Sequence, residues 1–128
     1  MIEAIDHVAI KVPALGPISD ALCALGFVCK DVRTFDDVGL EIAFLSAGSS
    51  HLELLEVVSA ASPIRNDPMG IQHLALAVPD IEACHRMLAS DDRFEVQSGI
   101  QKGAHARIFF FRIKACGAVS FECVEARR

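Results

Sequence analysis

From Ile5 to Pro13 the chain reads Ile-Asp-His-Val-Ala-Ile-Lys-Val-Pro. Val8, Ile10 and Val12 fall on every second position and leave His7 and Ala9 on the other side. Strand side chains point alternately to opposite faces, so this pattern predicts a strand with a bulky aliphatic face and an open face of histidine and alanine. The pattern returns from Ile71 to Pro79, where Leu74, Leu76 and Val78 take one side and His73, Ala75 and Ala77 the other. After each proline the period changes. Ile18, Ala21, Leu22 and Leu25 stand at i, i+3, i+4 and i+7, the stripe of an amphipathic helix that Gly26 stops. In the second copy Pro79-Asp80 supplies a capping start, Ile81, Cys84 and Leu88 form the stripe, and the helix ends near Ser90-Asp91. Phe27 and Phe94 follow, 20 and 21 residues after their histidines.

Beyond these phenylalanines the two copies stay in step. Short strands are predicted at 28–32 and 94–97, longer ones at 40–46 and 107–113, and last strands in His51-Leu52-Glu53-Leu54-Leu55-Glu56 and Ser120-Phe121-Glu122-Cys123-Val124-Glu125. Each copy therefore reads βαβββ. The fold class expected is α+β, with two βαβββ modules, about 1–61 and 70–128, in one domain spanning 1–128. The polar, proline-containing stretch 62–69 joins them. A chain of 128 residues suffices for one core but not for two independent ones.

The last strands place a glutamate among apolar neighbours. Glu53 alternates with Leu52 and Leu54, and Glu122 with Phe121 and Cys123, so each carboxylate leaves the aliphatic face and can share the histidine side. A lone strand histidine is more often a half-buried structural residue than a ligand. One His and one Glu recurring at matched places in a duplicated unit point instead to a shared metal centre of His7, Glu53, His73 and Glu122. Two imidazoles and two carboxylates form an N2O2 set suited to one divalent ion: Co, Zn, Ni, Mn or Fe.

Other polar residues are weaker candidates. Glu41 and Ala43 share the face opposite Leu40, Ile42 and Phe44. Laying residues 41–45 over 107–111 matches Arg107 to Glu41, which predicts that both face the same hollow; there a guanidinium could hold a carboxylate or phosphate. Each is equally well an ordinary strand residue in solvent. His105, on the loop before Arg107, is a candidate substrate contact. His51 stands at a strand entrance, and His85 lies off its helix stripe and is expected in solvent.

Composition narrows the class. Hydrophobic residues make up 52%, with eight Phe and neither Trp nor Tyr, as in a globular protein. No apolar run approaches the roughly 20 residues that span a bilayer, so no membrane partner is expected. Net charge is −5 and the pI about 5.4, without the clustered Lys and Arg of a nucleic-acid footprint. The start, Met1-Ile2-Glu3-Ala4, lacks the basic and apolar regions of a signal peptide, which predicts a cytoplasmic protein. Cys23, Cys29, Cys84, Cys116 and Cys123 are odd in number and lack CxxC spacing, so they are expected to be reduced core residues. Arg127-Arg128 reads as a solvated tail.

Ile5-Asp6-His7-Val8-Ala9, Gly70-Ile71-Gln72-His73-Leu74-Ala75, Gly103-Ala104-His105-Ala106-Arg107-Ile108 and Val119-Ser120-Phe121-Glu122 together resemble the strand and loop motifs of the vicinal oxygen chelate superfamily, and within it the methylmalonyl-CoA epimerases more than the glyoxalases. The resemblance covers essentially the whole chain. It implies a cup-shaped mixed sheet formed by the two paired βαβββ modules, metal ligands at His7, Glu53, His73 and Glu122, and a homodimer. It further implies a divalent-metal-dependent isomerase that stabilises an enediolate of a small acyl thioester, with Glu122 and Glu41 as bases on the two faces of the α-carbon. The substrate is then a small molecule, a thioester or thiol adduct. A glyoxalase I-like lactoylglutathione lyase is the alternative, ring-cleaving dioxygenases rank third, and a non-catalytic metabolite- or drug-binding protein of the bleomycin-resistance kind is the non-enzymatic reading. The chain departs from epimerase-like sequences in the short segment 62–69 and in Arg112-Ile113-Lys114-Ala115-Cys116-Gly117, where they carry a proline-containing turn. It departs from glyoxalases in lacking the aromatic pair of the first helix.

Overall fold

The computed structural model describes residues 1–126; the tail Arg127-Arg128 lies outside the described residues. Among these residues are two helices and nine strands: β1 (Ala4–Lys11), α1 (Leu15–Ala24), β2 (Val28–Phe35), β3 (Leu40–Ala47), β4 (Ser50–Val57), β5 (Gly70–Val78), α2 (Ile81–Ala89), β6 (Phe94–Val96), β7 (Gln101–Lys102), β8 (Arg107–Ile113) and β9 (Phe121–Glu125). The class is α+β, as the two periods predict, and the strands pair both parallel and antiparallel.

The chain folds as two compact units, one formed by His7–Gln72 and the other by Met1–Asp6 together with the chain from His73 onward. In the first, the strand order is β2-β3-β4-β1. β2, β3 and β4 pair antiparallel, and β4 lies parallel to β1. In the second, the order is β6-β8-β9-β5, again with the last strand parallel to the first, and β7 attaches to β8. The internal repeat is therefore a repeat of topology. In each copy the fourth main strand returns beside the first, a crossover that only a connection of a dozen residues or more permits.

Each unit packs one sheet face under its helix. In the first, Val12, Ala43, Leu45 and Leu54 meet Leu15, Ile18 and Leu22 of α1. In the second, Val78, Phe109, Phe111 and Cys123 meet Ile81, Cys84 and Leu88 of α2. α2 follows its predicted stripe, and the Asp80 carboxylate caps it by accepting from Ala83 N at 2.9 Å. α1 differs from the stripe expected. Its inner face is Leu15, Ile18 and Leu22, while Ala21 is exposed and Leu25, past the last turn, is 80% exposed. The start of α1 lacks a side-chain cap; instead the Glu56 carboxylate of β4 accepts from Leu15 N at 2.8 Å. The cysteines divide as well. Cys84 and Cys123 are buried and 3.7 Å apart, but Cys23, Cys29 and Cys116 are exposed, which corrects the expectation that all five are core residues.

The opposite face of the first unit carries Ala9, Leu40 and Leu55 with Ile64 against them. Lys11 lies on that face, 4% exposed. Its ammonium donates to the carbonyls of Ile64 at 2.9 Å, Arg65 at 3.2 Å and Asp67 at 2.6 Å. Three protons meet three acceptors, so a buried cation is satisfied and the polar stretch after β4 is anchored to β1. Gly39 makes the close approach on the other end of that stretch. At φ +57° it holds a left-handed turn, and a Cβ there would come within 2.4 Å of Ser59 Oγ and 2.8 Å of Ser62 N. Replacing Lys11 by Met should cost about 2–3 kcal/mol in urea unfolding, because three carbonyls lose a charged donor. A loss below about 0.5 kcal/mol, ordinary for a surface change, would show that water replaces the ammonium there.

Candidate functional site

The parallel registers decide where the polar residues stand. In the first unit Ala9 of β1 lies beside Glu53 of β4, between the pairs Val8–Leu52 and Ile10–Leu54. In the second, Ala75 of β5 lies beside Glu122 of β9, between Leu74–Phe121 and Leu76–Cys123. The flanking pairs face the helices, so each glutamate faces away from its helix, and the histidine two residues before each alanine shares that face. His7 Nε2 lies 3.2 Å from Glu53 Oε2, and His73 Nε2 lies 3.7 Å from Glu122 Oε2. His7, His73 and Glu122 are 5, 7 and 6% exposed. The fully buried alanines leave these longer side chains room on their own face.

A phenylalanine flanks each glutamate on the next strand. Phe44 of β3 stands opposite Glu53, and Phe110 of β8 opposite Glu122. The Phe110 ring meets the His73 ring edge-on, with centroids 5.6 Å apart at 82°. Each unit thus carries one imidazole, one carboxylate and one phenylalanine in matching order. Burying a carboxylate is costly unless it meets a donor or a cation, and an imidazole nitrogen with a carboxylate oxygen is a donor set that fits a divalent ion.

The profile of the glyoxalase/bleomycin resistance protein/dioxygenase superfamily matches residues 6–111. The chain belongs to this superfamily. Over 129 aligned positions it is 28% identical to the mitochondrial methylmalonyl-CoA epimerase of Mus musculus, covering 95% of this chain and 72% of that protein. The crystal structure of methylmalonyl-CoA epimerase from Mycobacterium tuberculosis superposes with a TM-score of 0.84 at 27% identity, covering 99% of this chain and 90% of that one. A Streptomyces coelicolor methylmalonyl-CoA epimerase in complex with 2-nitronate-propionyl-CoA shares the fold, with a TM-score of 0.84 at 24% identity, covering 98% and 96%.

Within this superfamily member, two residues expected to face the substrate lie on the other side of the sheet. Glu41 shares its face with Ala43 and Leu45, which pack beneath α1, and its cross-strand partner is Glu56. The inward position of β3 is Ile42 instead, packed beside Ala9, Leu40 and Leu55. Arg107 is likewise on the helix side. It gives Nε to Glu125 at 2.6 Å and Nη1 to Glu82 of α2 at 2.5 Å, in a half-exposed cluster. The alternation holds, but the face of Glu41 and Ala43 is the one α1 covers, because small Ala43 leaves room for the helix. The guanidinium of Arg107 holds the Glu82 carboxyl below its ordinary range.

The remaining candidates are placed as follows. His105 is exposed on the turn closed by Gly103 N to Ala106 O at 2.8 Å. His51 is exposed at the start of β4. His85, expected in solvent, is half-buried, with Nε2 3.2 Å from Ser98 O and its ring edge-on to Phe109. Burial pushes the Cys84 and Cys123 thiols up, so they stay protonated near neutral pH and are poor nucleophiles. Sequence reasoning missed Phe44 and Phe110 as neighbours of the two glutamates. β2 also runs three residues past its predicted end, to Phe35.

Arg107→Gln should return the Glu82 carboxyl toward its ordinary pKa, seen in its carboxyl carbon shift against pH. Glu82 stabilises the fold above its unfolded pKa, and the variant should lose that contribution, which otherwise fades as pH falls. An unmoved titration would remove this pairing. Glu41→Gln and Arg107→Gln should leave divalent-metal affinity within about two-fold of wild type, as for substitutions outside a site.

Proposed function

We propose that this protein is a metal-assisted isomerase that moves the proton on the carbon next to a thioester carbonyl, an epimerase-type reaction on a small acyl-CoA such as methylmalonyl-CoA. The observation that carries the reading is the matched His–Glu pair in each unit, His7 with Glu53 and His73 with Glu122. Likeness to methylmalonyl-CoA epimerases over nearly the whole chain supports the substrate class. His7, Glu53, His73 and Glu122 are the residues that would hold one divalent ion, which when bound supplies positive charge to the developing enolate oxygen.

The chain's own groups then divide the proton work. Glu122 is the base that takes the α-proton. Inversion needs an acid on the opposite face of that carbon. Glu41, turned under α1, is out of place for this, whereas Glu53 occupies in its module the position that Glu122 occupies in the other. Glu53 is therefore the second acid–base group of the reading. Phe44 and Phe110, beside the two carboxylates, lower the local polarity and keep water from protonating the carbanion at random. A homodimer belongs to the same reading through the family resemblance.

A glyoxalase-type reaction is the second reading, favoured by one observation. With Ile42 at the inward position of β3, the strand carboxylates beside the two histidines are Glu53 and Glu122, one in each pair, and that symmetric set serves proton transfer on a hemithioacetal equally well. Chelator-stripped protein titrated with cobalt or zinc should take up one equivalent per chain; His73→Ala and Glu53→Gln should each weaken that uptake. Two independent equivalents, or none, would overturn the shared centre. Methylmalonyl-CoA incubated with the loaded protein in heavy water should exchange its α-proton, and Glu122→Gln should slow this at least about a hundred-fold. Isomerisation of a glutathione hemithioacetal without thioester exchange would select the second reading.

A further inference from the structure

The face of the first unit that carries His7 and Glu53 continues outward across β3 to β2, and there it ends in a cation. Arg33 of β2 stands opposite Ile42 and Asp31 opposite Phe44, in a regular register that is interrupted only before Asp31. Ile42 and Phe44 are among the β3 residues whose side chains share the face of Glu53. The Arg33 guanidinium carbon lies over the Phe44 ring at 4.8 Å from its centroid and over the Phe35 ring at 5.5 Å. Its Nε meets Asp31 Oδ2 at 3.0 Å.

We propose that Arg33, set on Phe44 and Phe35, is the recognition point for an oxyanion of the substrate, a carboxylate or a phosphate. This deepens the proposed function and takes from it only that substrate enters on the histidine face. Four observations carry it. The register seats the guanidinium on the ring of the residue beside Glu53, and neighbouring strands are about 4.8 Å apart, so the cation lies within one substrate length of the proposed acid–base group. Two aromatic faces fix the direction of a side chain that is otherwise among the most mobile, which lowers the entropy lost when it grips a ligand. The Arg33 side chain is 35% exposed, desolvated on the ring side yet reachable. The Asp31 partner is itself 53% exposed, and an ion pair so open to water contributes little to the fold. Guanidinium is also the cation that meets carboxylate and phosphate oxygens two at a time.

The oxyanion has two possible sources in an acyl-CoA: the carboxylate of a dicarboxylic acyl group and the phosphates of the carrier. Calorimetric binding of coenzyme A, propionyl-CoA, methylmalonyl-CoA, pantetheine, propionyl-pantetheine and methylmalonyl-pantetheine to wild type, Arg33→Gln and Arg33→Lys separates them. If the carrier phosphates are the source, Arg33→Gln should weaken coenzyme A and both CoA esters about ten-fold and leave the pantetheine compounds unchanged. If the acyl carboxylate is the source, the methylmalonyl compounds should weaken about ten-fold while their propionyl counterparts do not change. In either case Arg33→Lys should recover part of the loss, because it keeps the charge and loses the fork. The proposal falls if Arg33→Gln, with an unchanged melting temperature, binds every ligand as wild type does, or if wild type binds none of them. Arg33-dependent binding without α-proton exchange would retain this site and discard the epimerase reading. Exchange with an unaltered KM in Arg33→Gln would do the reverse.

Discussion

Everything at the candidate site depends on one pairing, the parallel alignment of the last strand of each module with its first. Parallel registers of Ala9 with Glu53 and Ala75 with Glu122 bring a histidine and a glutamate about fifty residues apart in sequence to within 3.2 and 3.7 Å. A shift of one residue in either strand would turn the carboxylate into the helix-packed core and the neighbouring leucine or cysteine into its place, because side chains alternate with period two. The apolar residues on both sides of each glutamate make that slip expensive. Leu52 and Leu54 under α1, and Phe121 and Cys123 under α2, therefore specify the position of the polar groups as much as the polar groups do.

The two faces of each sheet hold different kinds of free energy. Under the helices, burial of aliphatic and aromatic area supplies stability at roughly 25 cal/mol per Å². On the opposite face, buried imidazoles and carboxylates cost desolvation that close partners must offset. A stable scaffold thus supports a face that is poor for stability and rich in chemistry. The same trade appears at Lys11, a buried cation whose three carbonyl partners anchor the segment after β4 to β1, and at Arg33, whose charge is supported by aromatic faces at the outer edge.

The pairs His7–Glu53 and His73–Glu122 were legible in the sequence because the same short pattern occurs twice, and a repeat is informative where a single motif is not. α2 was legible from its capping aspartate and stripe. α1 was legible in place but not in facing, since Ala21 and Leu25 fit the stripe by spacing while the helix ends at Ala24. Glu41 and Arg107 show the limit of alternation. It tells which residues share a face, but not which face a helix covers, and there the sequence offered only the size of Ala43 as a guide. The exposed cysteines and the half-buried His85 were misjudged for a related reason: local neighbours in sequence do not report which other strands and helices pack against a side chain.

By itself the sequence determined the element types, their order, the duplication and the identity of the histidine–glutamate pairs, because these follow from local periodicity, capping and repetition. Only the tertiary structure decided that the fourth strand of each module lies parallel to the first, that Glu41 and Arg107 turn toward the helices, and that Phe44, Phe110 and Arg33 join the histidine face. Those facts concern the side-by-side order and register of strands far apart in the chain. Pairing at that separation is chosen by the packing of the whole sheet under its helix, which no window of sequence contains.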